Sequence, residues 1–260
     1  MKKINIFTLL LSGLKLNFLQ AAWNFERLQN IGFLLSIYKI LKIIYKNNIE
    51  NLKIAIKRHL EFFNTHIFFS SAVLGMVSRL EEDLDNSDPE KKNKEIENAK
   101  IGVMGPLAAI GDSIFWSAIK PFALLTGIGY TYLMGFNADS LIYGSIISII
   151  IYNIPRIFVK YYLLIKSYYD YQKLFTLLQQ IKFQHLIKVI KITGMILLGV
   201  ISAGYLYKKN LNFIPVRAID NFLLVIIFIL ITLALKRKTS ISNILIAIIV
   251  LSVFISYIIG

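Results

Sequence analysis

Between residues 101 and 135 the chain runs apolar, yet Gly102, Gly105, Pro106, Gly111, Asp112, Lys120, Pro121, Gly127 and Gly129 interrupt it. Hydrocarbon offers no partner to a bare N–H or C=O. Broken backbone therefore survives at membrane depth only under protein or beside a wet cavity. The stretch predicts discontinuous or re-entrant helices around a polar interior rather than one plain spanning helix.

The rest of the chain reads the same way. Hydrophobic residues make up 56% and charged residues 17%, against about 25% charged in soluble domains. Further apolar runs at 139–165, 186–207, 219–235 and 240–260 approach the ~20 residues that cross a bilayer. The fold class expected is all-α: a polytopic integral membrane protein. In the second of these runs Gly194, Gly199, Ala203 and Gly204 are small residues that allow close helix packing.

The 29 basic and 15 acidic residues leave a net charge of +14. In a soluble protein that excess would point to nucleic acid. Here the basic residues lie mostly between apolar runs, which fits positive-inside anchoring and anionic membrane lipid, with no nucleic acid as partner. Lys236-Arg237-Lys238 is expected in the cytoplasm, sending the C-terminus outward, although Lys208, Lys209 and Arg217 argue the other way. The start, Met1-Lys2-Lys3 then Ile4–Leu14, imitates a short signal peptide; Lys15 interrupts it, and the segment is expected to be retained. With no cysteine, disulfides, thiolate nucleophiles and Cys-bound metals are excluded.

Residues 1–66 read as amphipathic interfacial helices. One helix is expected over 24–45, with Phe25, Leu28, Ile31, Leu35, Tyr38 and Leu41 on its apolar side and Asn24 as N-cap. A second is expected over 50–63, basic on its other side. Residues 67–80 are apolar but short: a dip into the bilayer or a helix buried in protein. With the polar stretch 81–100, expected as a charged cytosolic loop turning at Asp88-Pro89, they form a second region. Residues 101–260 form the membrane-embedded third, with 101–135 as its broken segment.

Three constellations could carry chemistry. Asp112 stands inside an apolar segment, where an acid costs roughly 3 kcal/mol or more and by default marks a functional site. Gly111-Asp112-Ser113 ahead of Ile114–Ile119 equally fits a structural N-cap. Both readings can hold, since a half-helix N-terminus in a cavity offers free N–H groups to a polar ligand. The second is Arg58-His59-Leu60-Glu61-Phe62-Phe63-Asn64-Thr65-His66. If helical, it puts His59 beside Phe62 and Phe63, Glu61 beside Thr65, and His59 and His66 two turns apart. A metal site lacks an evident third ligand, and none is expected. A phosphoryl-accepting histidine, a hydrogen-bonded packing histidine and a sugar-binding face remain. For the last, Glu61, Asn64, Asp112 and Trp116 supply the amide, carboxylate and ring that carbohydrate needs. The third is Asn24, Glu26, Arg27, Gln29 and Asn30, a partner surface or only a solvated helix face. No phosphate-cradling loop, Ser–His–Asp set or zinc helix occurs.

From Trp23-Asn24-Phe25-Glu26-Arg27-Leu28-Gln29-Asn30-Ile31-Gly32-Phe33, through Arg58–His66, Leu74-Gly75 and Glu81-Glu82, to Lys100–Ala108, Gly111-Asp112 and Phe115-Trp116, the chain resembles a known family. This is the IID membrane subunit of the mannose/fructose/sorbose class of bacterial phosphotransferase systems. The similarity covers about residues 17–165; beyond it hydropathy and short stretches such as Thr193-Gly194 agree. Where the family usually has Gly-Asp-Pro, this chain has Gly111-Asp112-Ser113, a more flexible break that keeps the acid.

The resemblance implies a transport subunit of the bacterial inner membrane, with no enzyme activity of its own and no cofactor. It would pair with a IIC membrane subunit, in an oligomer of IIC–IID pairs. Together they would pass a hexose of mannose or glucose type to a phospho-IIB partner, itself charged through IIA. On this reading Asp112, Glu61, Asn64, His59 and Trp116 contact substrate, and Glu26, Arg27, Gln29 and Arg58 face a partner. Two rivals are a structural subunit that only braces IIC, and a lipid-acting enzyme, for which no catalytic set is clustered.

Overall fold

The computed structural model describes residues 4–84, 88–173, 183–208 and 217–259. Among them the chain is helical, with no strand beyond two isolated bridges.

The first helix, α1 (Ile6–Lys15), is capped by Asn5, whose side chain accepts the Phe7 N–H. Helix α2 runs Asn30–Ile44 and buries Phe33, Ile37, Ile40, Leu41 and Ile44. It starts six residues later than the periodicity predicts. Asn24 Oδ1 accepts the Arg27 N–H at 2.8 Å, and Asn24 and Leu28 exchange two backbone hydrogen bonds at 3.0 Å. Leu28 turns to φ +56°, so residues 24–28 close a loop that a helix cannot continue. Helix α3 (Ile49–His59) opens on Asn48, which accepts the Asn51 N–H, and stops at His59 rather than 63. The faces expected for Glu61, Thr65 and His66 on that helix therefore do not exist.

Helix α4 (Ser70–Asp83) is buried in protein from Ser70 through Ser78, which decides against a dip into lipid. Its serines close on their own helix, Ser78 Oγ donating to the Leu74 carbonyl at 2.6 Å. The stretch 81–100 is not a loop over most of its length. Helix α4 takes residues up to Asp83, and α5 (Pro89–Gly111) starts behind Asp88, which caps the Lys91 N–H. Lys92, Ile96 and Lys100 recur every fourth residue and are buried. Two of the three are charged, so hydropathy alone disguised an inward face.

The interruption after Gly111 takes the form of a π-helix, Asp112–Ile119, leading straight into α6 (Lys120–Met134). Gly135, at φ +93°, ends α6. Asn137 and Ser140 form a reciprocal capping box that opens α7 (Ala138–Tyr169). The hairpin is tight: a Cβ on Gly127 would stand 2.3 Å from the Gly144 carbonyl oxygen, so only glycine allows these backbones together. Helix α8 spans Phe183–Lys208. Residues 200–260 form a separate compact unit with α9 (Arg217–Lys236) and α10 (Ile241–Ile259).

Three helical runs are long and apolar enough to cross a membrane: Glu90–Met134, Ala138–Tyr169 and Phe183–Gly204. Several hydroxyl side chains along them close on backbone carbonyls, which suits a bilayer. Thr131 Oγ1, for example, donates to the Gly127 and Ser140 carbonyls.

Candidate functional site

The loop 24–29, the segment 60–69 and the end of α5 are stitched together. Gln29 N donates to the Phe63 carbonyl at 2.9 Å. Asn30 Nδ2 donates to the Leu60 carbonyl at 2.5 Å and is itself held by Asn24. Gln29 Oε1 accepts the Thr65 N–H at 3.0 Å, and Thr65 Oγ1 reaches across to the Met104 carbonyl at 2.9 Å. The polar bunch after Trp23 is thus chiefly a clamp on residues 60–65. Gln29 is buried by that task. Glu26 remains exposed, and Arg27 makes a half-exposed pair with Glu61 at 3.5 Å.

Arg58 and His59 turn inward to Glu81, which is fully buried. Arg58 Nε and Nη2 donate to its two oxygens at 3.0 and 3.1 Å; His59 Nε2 lies 2.9 Å away and the Tyr45 hydroxyl 2.5 Å. Lys92 Nζ is 3.5 Å from the same carboxylate, and Asn93 accepts from Arg58. Burial alone would push the Glu81 carboxyl up, but His59, Arg58 and Tyr45 together hold it down, at about 2. Burial pushes His59 down to about 4 despite the Glu81 bond, so at neutral pH it is an uncharged ring donating through Nε2. These contacts tie α2, α3, α4 and α5 into one polar knot. His59, expected as a sugar contact, and Arg58, expected as a partner residue, are both buried in this knot, with His59 Nδ1 unpartnered among the described residues. Glu81 was missed because acids in a polar stretch look solvated; the adjacent Arg58-His59 in a basic helix was the available signal.

The π-helix carries the other half of the site. Asp112 and Trp116 are exposed, one turn apart. Among the described residues the Asp112 carboxylate has no hydrogen bond or ion pair. The backbone at Gly111 is pressed on His66, where a Cβ would stand 2.4 Å from the imidazole Cγ. The His66 ring stacks on Phe115 at 5.4 Å and 14° and meets Trp116 edge-on at 6.3 Å. Its Nδ1 accepts the Phe68 N–H at 3.3 Å, so in the neutral ring the proton sits on Nε2. Burial pushes His66 down to about 4, and Nε2 has no hydrogen-bond partner among the described residues. Glu61 and Asn64 are exposed on the segment that ends at His66. The geometry therefore gathers Asp112, Trp116 and His66, carries Glu61 and Asn64 on the adjoining loop, and removes His59 to the knot. Among the described residues no three His, Asp or Glu side chains converge as metal ligands.

The model of the PTS system mannose/fructose/sorbose family IID component matches residues 6–259. The chain belongs to this IID family. The mannose-specific EIID component of Escherichia coli K12 is 39% identical over 149 residues, 57% of this chain and 50% of that one. The fructose permease IID component of Bacillus subtilis is 33% identical over 193 residues, 74% and 66%. The match to this IID chain spans about half the length of the mannose-specific relative. A chain from the cryo-EM structure of the mannose transporter ManYZ with microcin E492 (MceA) resembles it over 100% of this chain and 98% of that one, at TM-score 0.58 and 26% identity. A second solved membrane-protein chain gives TM-score 0.70 at 26% identity, over 97% and 96%. This IID chain is accordingly a membrane protein of that family, with three helical runs long and apolar enough to span a bilayer.

Proposed function

We propose that this IID chain forms, with a IIC subunit, the path by which a hexose of mannose or glucose type enters for phosphorylation by phospho-IIB. The observation that carries the reading is Asp112. It is an ionisable group on an apolar run, exposed on a π-helical turn and without a hydrogen bond or ion pair among the described residues. Such a group requires a wet or polar surface opposite it, and π-turns concentrate at functional sites. Asp112, Glu61 and Asn64 would bond sugar hydroxyls, Trp116 would offer a ring face, and the free His66 Nε2–H would supply a further donor. Movement of one helix group against another would open the site to each side in turn. Glu26 and Arg27, on the exposed loop beside the 60–65 clamp, remain for a docking phosphocarrier protein.

Uptake of labelled mannose by vesicles holding the IIC pair tests this: Asp112→Asn and Asn64→Ala should both slow it, and full rates in both would discard the site. A second reading has one observation in its favour: Arg58 and His59 are buried against Glu81. On that reading IIC alone binds sugar and this chain braces it. Sugar protection of IIC expressed alone, as strong as in the pair, would favour the brace.

A further inference from the structure

One exposed ridge of the membrane run Glu90–Met134 is unlike a surface made for lipid. Gly102 and Gly105 are exposed on α5, and a Cβ added at either would meet nothing within 4 Å. Ala109, Asp112, Trp116 and Lys120 continue the ridge at steps of three and four, all exposed. Lys120 Nζ lies over the Trp116 ring at 4.5 Å, and no acid of the chain pairs with it among the described residues. A lipid phosphate would suit Lys120 but not the carboxylate two turns away, and acyl chains give nothing to bare glycine backbone. A protein helix suits the glycines and Lys120: it approaches closely at small residues and can present a carboxylate to the ammonium.

We infer that Lys120 forms an intersubunit ion pair with a carboxylate on a helix of the partner membrane subunit, and that this helix crosses close over Gly102 and Gly105. The two contacts bracket Asp112 and Trp116, leaving these to the sugar between the subunits. The Trp116 ring holds the ammonium in place by cation–π attraction until the carboxylate meets it. The inference rests on the pairing with IIC proposed above and names the residue that fixes its register.

The test is zero-length crosslinking of the co-expressed pair in native membranes with dicyclohexylcarbodiimide. The reagent activates a carboxylate, an amine in contact displaces dicyclohexylurea, and an amide joins the chains. The expected product is an intersubunit adduct whose linkage maps to Lys120 by mass spectrometry. Lys120→Arg should abolish that linkage while keeping the complex, because a guanidinium keeps the charge but does not form the amide. Lys120→Glu should cut the IIC retained on the tagged chain by at least about tenfold; Lys120→Gln, the milder change, should weaken retention in the same direction. A wild-type pair that co-purifies but yields no linkage at Lys120 overturns the inference alone. Failure of the wild-type chains to co-purify at all overturns the pairing as well.

Discussion

The imidazole of His66 lies against the backbone of Gly111, close enough that a Cβ there would stand 2.4 Å from the ring. The ring cannot simply step aside, since it is stacked on Phe115 and edge-packed on Phe68. Gly111→Ala should therefore destabilise by about 1–3 kcal/mol through overpacking. Thermal unfolding in detergent measures it. Adding His66→Ala should return part of the loss, so that the double variant falls short of the sum of the singles. Additive losses would mean the two do not compete for space.

Glu81 predicts a larger effect. Glu81→Gln leaves the Arg58 guanidinium, 6% exposed as a side chain, without its counter-charge. The expected loss is about 3–5 kcal/mol. Asp83→Asn, which breaks the more exposed pair with Arg79 at 2.7 Å, should change stability by less than about 1 kcal/mol. Similar losses in both would contradict the knot's role as the anchor of the N-terminal helices.

Acid should unfold the chain in a defined direction. His59 and His66 are held at about 4 in the fold against 6.5 ordinarily. Unfolding lets them take protons, so their contribution is whole above pH 6.5 and shrinks as pH falls toward 4. Glu81, held at about 2 against 4.5, adds stability above pH 4.5 that is lost below it. All three slopes have the same sign. The unfolding temperature should drop between pH 6.5 and 4; His66→Phe, which keeps a ring on Phe115, should flatten part of that drop. A midpoint unchanged at pH 4.5 would contradict the buried neutral histidines.

The sequence made the membrane class legible because hydropathy needs only composition along a line. It also singled out Asp112, because a carboxylate in an apolar run is costly, while leaving open whether it caps a helix or meets a ligand. It hid what depends on contacts far along the chain. Leu28 looks like the apolar side of a helix, yet the chain turns left-handed there to pair with Phe63. Lys92 and Lys100 look solvated, yet they point at Glu81 and at the rings of Phe33 and Phe63. In the candidate site, Trp116 and Asp112 stand four residues apart, one turn of the π-helix that the structure shows. His66 was weighed as a histidine without a setting, because its place beneath Gly111 is a tertiary fact.

The exposed carboxylate of Asp112 carries the transport reading, and hexose uptake by vesicles containing Asp112→Asn with wild-type IIC tests it most directly. A hydrogen bond from substrate to a charged group contributes about 1.5–3 kcal/mol. The variant, present at wild-type level and still paired, should therefore take up sugar at least about tenfold more slowly at limiting concentration. Uptake at the wild-type rate would contradict the account.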